Sequence, residues 1–142
     1  IDTETLSVHN DELQACYREI IANEQQWEEY NLEGAEYVIT AFGTVARIAK
    51  SAIVELKEQG INVGLVRPIT VWPFPYDAVK KAAEQPGVKA VLDVELNEGQ
   101  MLEDVKLAIN GAKPVDFFGH LGSQMPTTEE IKAKIISMKE GK

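Results

Sequence analysis

One cysteine, Cys16, among 142 residues excludes an intrachain disulfide and leaves too few thiolates to hold a metal cluster. It falls on a helical stretch, so it reads as a half-buried structural thiol rather than a nucleophile. No apolar run approaches the roughly 20 residues a bilayer-spanning helix needs, and no basic segment followed by an apolar one marks a signal peptide. Basic residues are scarce as well. Fourteen Lys and Arg stand against 23 Asp and Glu, a formal net charge of −9, and the cations form no dense run. Such a chain is poorly suited to phosphate backbones, so neither nucleic acid nor a membrane is expected as a partner, and the expected compartment is cytoplasmic. The glycine signatures of nucleotide binding, G-x-G-x-x-G and G-x-x-x-x-G-K-[ST], are missing, as is the G-x-S-x-G elbow of hydrolases. The sequence has no internal repeat and no low-complexity segment. It opens on Ile1 rather than Met, which reads as a piece of something longer.

What remains is ordinary globular material: 44% hydrophobic and 26% charged residues, enough for one domain with a real core. Residues 1–9 read as a linker or tail. A helix is expected over 10–30, with Leu13, Tyr17, Ile20, Ile21 and Trp27 at three- and four-residue spacing and Asn10 or Asp11 as its cap. Its narrow apolar stripe suits packing across the outside of a domain or against a neighbouring subunit. Strands are expected over 35–42, 63–67, 88–94 and 113–118. Helices are expected to start at Gly43, Tyr76, Gln100 and Thr127, the last with a capping box formed by Thr127 and Glu130, and Gly60 and Gly111 fall where helices end. Alternating strands and helices with short connections predict a three-layer α/β/α sandwich with a mostly parallel sheet, preceded by an N-terminal helix over 10–30 within a domain spanning 10–142.

Function in such sheets gathers at the carboxyl ends of strands, and two segments there are unusual. Ile61–Pro75 runs from an apolar strand through Arg67 into Trp72-Pro73-Phe74-Pro75, a stiff aromatic loop whose prolines bar it from a central strand. Val88–Met101 runs from a strand into Asp93, Glu95, Asn97 and Gln100. Asp93 and Glu95 share a strand face, which suits acid–base work or a divalent ion; the simpler alternative pairs one carboxylate with Arg67 on an adjacent strand, with Glu98–Asp104 favouring a helix start. Gly43-Thr44 at a helix amino terminus can hold an anion or simply make a tight turn. His120, in the loop containing Gly119, Gly122 and Pro126 and beside Ser123, and the distant His9 give no triad. Trp27 and Trp72 read as packing or interface anchors. Taken alone, these residues describe an α/β domain without a self-sufficient active site. No residue is assigned a catalytic, cofactor-binding or metal-binding role. Two further possibilities are a free-standing nucleotide- or CoA-binding module, and a small hydrolase or dehydratase using Asp93 and Glu95.

Four segments together carry a resemblance: Glu36-Tyr37-Val38-Ile39-Thr40-Ala41-Phe42-Gly43-Thr44, Val63-Gly64-Leu65-Val66-Arg67-Pro68, Trp72-Pro73-Phe74-Pro75 and Val94-Glu95-Leu96-Asn97-Glu98-Gly99-Gln100-Met101. In this order they resemble the transketolase C-terminal-like domain of 2-oxoacid:ferredoxin oxidoreductases, in the α subunit of the 2-ketoisovalerate or 2-oxoglutarate type, over about Leu13 to Met138. The resemblance implies an enzyme that decarboxylates a 2-oxo acid on thiamine diphosphate, passes electrons through iron–sulfur clusters to ferredoxin, and releases an acyl-CoA. It also implies that thiamine diphosphate, magnesium and the clusters belong to the complete complex, because this sequence has no G-D-G…N-N segment and no set of cysteines. The role left to this chain is assembly and site shaping, with Arg67, Trp72, Phe74, Glu95, Asn97 and Gln100 lining the contact with other domains or subunits.

Overall fold

In a computed structural model, which describes residues 2–122 and 124–141, the chain forms ten elements. They are α1 (Thr3–Asn23), β1 (Trp27–Tyr30), β2 (Tyr37–Thr40), α2 (Gly43–Glu58), β3 (Val63–Pro68), α3 (Tyr76–Ala83), β4 (Ala90–Glu95), α4 (Gln100–Ile109), β5 (Val115–Gly119) and α5 (Thr128–Glu140). Five strands make one sheet in the order β1-β3-β2-β4-β5. β2, β3, β4 and β5 run parallel, and β1 lies antiparallel on the outer edge of β3.

Side-chain alternation along the strands builds two cores, one on each face of the sheet. Ile39, Leu65, Leu92 and Val94 face α2 and α5, which contribute Val45, Ala49, Ile53, Leu56, Ile131 and Ile135. Val38, Val66 and Val91 face α3 and α4, which contribute Val79, Ala82, Met101, Val105 and Ile109. The result is the expected three-layer α/β/α sandwich. Alanines at 46, 49 and 52 on α2 and at 78, 82 and 83 on α3 keep those helices close to the sheet. The capping box of α5 forms as expected: the Thr127 hydroxyl accepts from the Glu130 amide, and the Glu130 carboxylate accepts from the Thr127 amide. No helix among the described residues is long and apolar enough to cross a membrane.

The N-terminal expectation needs correction. The helix runs from Thr3 to Asn23 rather than over 10–30, and most of the segment read as a tail is its first two turns. Asp2, not Asn10 or Asp11, caps it, accepting from the Thr5 amide at 2.9 Å. Trp27–Tyr30 leaves the helix to pair with Leu65–Pro68 of β3. The free edge of β3 supplies backbone partners that a Glu-rich helical periodicity cannot reveal, and tertiary pairing overrides local propensity. No residue of α1 is buried; Leu6, Val8, Leu13, Tyr17 and Ile21 are all exposed.

Candidate functional site

Helix α2 leaves β2 toward one face of the sheet, and α4 leaves β4 toward the other. β2 and β4 are neighbours, so the crevice outside their carboxyl ends is the topological switch point, the usual ligand position in open α/β sheets. A polar bridge joins these two strands near their carboxyl ends. The Thr40 hydroxyl donates to Asp93 Oδ1 at 2.6 Å, and both residues are fully buried.

The segment after β4 is spent on its own helix. Glu95, only 1% exposed, accepts from the Met101 amide through Oε2 and from the Leu102 amide through Oε1, both at 3.0 Å. The Asn97 side-chain amide donates to Glu95 Oε2 at 2.9 Å, while Asn97 Oδ1 accepts from the Gly99 and Gln100 amides at 2.7 and 2.8 Å. Four orphan donors at the start of α4 are thereby satisfied by two side chains, with a carboxylate at the positive end of the helix. Gly99 enters α4 at φ +97, a conformation that disfavours any side chain. Gly119 brings β5 close: a Cβ there would stand 2.5 Å from the Asn97 carbonyl oxygen. Around this turn Asn97, Glu98, Gly99, Gln100, Glu103 and Leu121 line a shallow depression.

Asp93 has a different electrostatic standing. Its carboxyl is pushed up to about 8, first by burial and then by the Glu95 carboxylate beside it, against the opposing Thr40 hydrogen bond. Behind the crevice, the Tyr76 hydroxyl on α3 donates to Asp104 on α4, which raises the phenol to about 12.

The expected pairing of Arg67 with Asp93 or Glu95 does not occur. β2 separates β3 from β4, and the alternation of side chains puts Arg67 on the α2 face while both carboxylates lie on the α3/α4 face. Arg67 instead donates to Glu28 of β1 at 3.2 Å, and Lys50 of α2 meets the other oxygen of the same carboxylate. The two cations together hold Glu28 below its usual range.

Among the six residues expected at a partner contact, the structure separates the exposed from the buried. Trp72 is 58% exposed, its ring edge-on to Tyr17 of α1 at 5.8 Å. Phe74, two residues later, is 2% exposed and belongs to the α3/α4 core, edge-on to Tyr76. Gln100 is exposed, Asn97 and Arg67 are half-buried, and Glu95 is buried. Phe74 and Glu95 are both enclosed by this chain's own residues. Ile69, Val71 and Trp27 add further exposed apolar surface to the rim around Trp72.

The remaining candidates do not converge on these residues. Gly43 begins α2 at φ +57, and neither it nor the cap residue Phe42 places a side chain on the first amides. His120 stacks edge-on against Phe118 and lies 3.2 Å from Glu130 of α5. Ser123 lies outside the described residues. Cys16 is exposed rather than half-buried. Among the described residues no three His, Cys, Asp or Glu side chains are grouped as metal ligands. The donor set fits neither a magnesium-bound diphosphate nor an iron–sulfur cluster.

Residues 35–131 match the family model of pyruvate:ferredoxin oxidoreductase core domain II. The chain belongs to this family. It is 38% identical over 135 residues to the ketoisovalerate oxidoreductase subunit VorB of Methanothermobacter marburgensis, covering 95% of this chain and 38% of the relative. To the 2-oxoglutarate synthase subunit KorA of Methanocaldococcus jannaschii it is 34% identical over 111 residues, or 78% of this chain and 29% of that one. This core domain II thus spans well under half the length of the relatives it matches. Its fold is also that of a 2-oxoglutarate:ferredoxin oxidoreductase from Magnetococcus marinus, solved with 2-oxoglutarate, coenzyme A and succinyl-CoA bound (TM-score 0.68, 20% identity, 84% of this chain and 21% of that one). A split-gene transketolase in an inactive β4 tetramer shares it too (TM-score 0.65, 19% identity, 78% and 40%). The transketolase C-terminal-like reading of the four sequence segments is therefore correct, and the mostly parallel sheet belongs to that fold.

Sequence reasoning found Glu95, Asn97 and Gln100 but missed Thr40, Tyr17 and Glu28. Thr40 becomes visible only once Asp93 is known to lie directly across from it in the β2–β4 register. Glu28 needed the strand pairing of β1. Tyr17 stood in the predicted helix, but nothing local places it against Trp72.

Proposed function

We propose that this chain is the assembly and site-shaping domain of a 2-oxoacid:ferredoxin oxidoreductase of the 2-ketoisovalerate type. In the complete enzyme a branched-chain 2-oxo acid is decarboxylated, electrons pass to ferredoxin, and an acyl-CoA is released. Thiamine diphosphate supplies the carbanion chemistry there, and magnesium and iron–sulfur clusters belong to the other domains or subunits. The observation that carries the reading is how the strand-end polar groups are used. Glu95 and Asn97 are engaged by the amides of α4, and Arg67 by Glu28, while Trp72 and Gln100 are left at the rim. A group already saturated by backbone donors is a positioning element rather than a reacting one. An exposed tryptophan on a proline-stiffened loop loses little freedom on docking and makes a good contact anchor.

The 2-ketoisovalerate assignment is favoured by the extent of the match: the likeness to VorB runs over 135 residues, that to the 2-oxoglutarate synthase subunit over 111. Comparative turnover by the complete enzyme tests it. A higher kcat/KM for 2-ketoisovalerate than for 2-oxoglutarate or pyruvate is expected, and a preference for either of the others overturns the assignment. The role of the domain is tested separately. Trp72→Ala should weaken assembly of the complex by analytical ultracentrifugation, and unchanged assembly argues against Trp72 as an anchor. Equilibrium dialysis of the chain against CoA and adenine nucleotides should show no binding. Saturable binding would favour a nucleotide- or CoA-binding module instead.

A further inference from the structure

We propose that Asp93 and Glu95 hold a single proton between them, seated on Asp93, and that losing it loosens the first turn of α4. The geometry makes the two carboxyls unequal. Both oxygens of Glu95 are occupied by N–H donors: Leu102 on one, Met101 and Asn97 on the other. Neither Glu95 oxygen is left without a donor. Asp93, two residues earlier on the same strand face, is fully buried and has one donor, the Thr40 hydroxyl on Oδ1. Its Oδ2 is buried with no donor reaching it. As a carboxylate Asp93 would carry an unpartnered oxygen in an apolar layer, beside a second negative charge. As an acid, its Oδ2 hydroxyl donates to Glu95, which acts on it as a side-chain hydrogen-bonding neighbour. The protonated form satisfies every oxygen of the pair.

The surroundings give ionised Asp93 little relief. Its own strand contributes the Glu95 anion and β2 the neutral Thr40 hydroxyl. From α4, Lys106 is the cation that acts on it; α3 turns Ala78, Val79, Ala82 and Ala83 toward this layer. Ionisation therefore sets two anions on one strand face. The means of relaxation is the Glu95 side chain, whose movement releases the Met101 and Leu102 amides. The consequence appears at the exposed start of α4, beside Asn97 and Gln100.

NMR on the full chain tests this, following the Asp93 carboxyl carbon and the Met101 and Leu102 amides from about pH 4 to about pH 10. Asp93 should titrate far above an ordinary aspartate, near 8, and both amides should shift with the same midpoint. Asp93→Asn, which keeps a donor toward Glu95 and an acceptor for Thr40, should abolish that step at Met101 and Leu102. It should also leave their hydrogen exchange slower than wild type at the same pH above the midpoint. Thr40→Val removes the one donor favouring the anion and should move the midpoint higher; this variant serves if Asp93→Asn does not fold. An Asp93 midpoint in the ordinary carboxylate range overturns the proposal. So do amides that show no step, a step persisting in Asp93→Asn, or a midpoint that Thr40→Val leaves in place or lowers.

Discussion

β3 and β4 end at one rim of the sheet on either side of β2, and they use their polar and aromatic residues in opposite ways. After β4 the chain turns inward: Glu95 and Asn97 lock four amides at the start of α4, and Gly119 lets β5 close over them. After β3 the chain divides its aromatic pair, sending Phe74 into the core and leaving Trp72 against Tyr17 of a helix that buries nothing. One turn is a fixed internal brace, and the other is half brace and half open surface. Residue type alone does not distinguish them. A carboxylate at a strand end looks catalytic until its donors are counted, and an aromatic beside proline looks like an interface until its burial is known.

This contrast can be broken by substitution. Phe74→Ala should have the largest effect on stability, about 4 kcal/mol, because a fully packed aromatic leaves a cavity that the surrounding layer only partly fills; urea denaturation measures it, and a loss below about 1 kcal/mol would return Phe74 to the surface. Glu95→Ala should cost about 3 kcal/mol by leaving the Met101 and Leu102 amides unpaired. Its signature in hydrogen exchange is lost protection confined to the beginning of α4. Wild type at or above the variant's exchange rate there would mean that the brace is not a brace.

Asp93 gives a pH-dependent version of the same test. Its folded value near 8 lies above the unfolded aspartate value of 3.8, so between those limits the folded chain holds a proton that the unfolded chain has released. Its contribution to stability is whole below the unfolded value, falls as pH rises through the window, and is gone above the folded value. The melting temperature of wild type minus that of Asp93→Asn should therefore decline from about pH 4 to about pH 8 and then level; a flat difference would count against it. Trp72→Ala should have the smallest effect on the chain alone, under about 1 kcal/mol, because its ring is mostly solvated. Its cost should appear in assembly of the complete enzyme. A stability loss as large as that of Phe74→Ala would erase the distinction between the two aromatics.

Much of this was legible in the residues. The apolar strands, the helix starts at Gly43, Tyr76 and Gln100, and the capping box at Thr127 follow from periodicity and local chemistry, which act over a few residues. The four segments also carried the family. What was hidden depends on strand order and on which face a side chain meets. An Arg67–carboxylate pair was reasonable for consecutive strands. It failed because β3 and β4 lie on opposite sides of β2, an order that no local pattern encodes. β1 was absorbed into a helix because Trp-Glu-Glu-Tyr satisfies both periods when short, and the choice was made by an unpaired edge some forty residues away. The bridge between Thr40 and Asp93 is likewise a fact of register.

The direction of β1 has its own consequence. Because it runs against β3, with Trp27 opposite Pro68 and Tyr30 opposite Leu65, the polypeptide arriving along α1 joins the sheet at the same rim where the Trp72 loop emerges. A parallel first strand would have delivered it to the far end, some 20 Å away at about 3.3 Å per residue over a six-residue strand. Reversing one short edge ribbon thus sets the approach route of the whole N-terminal helix, and it explains how Tyr17 comes to meet Trp72 without a single residue of that helix being enclosed.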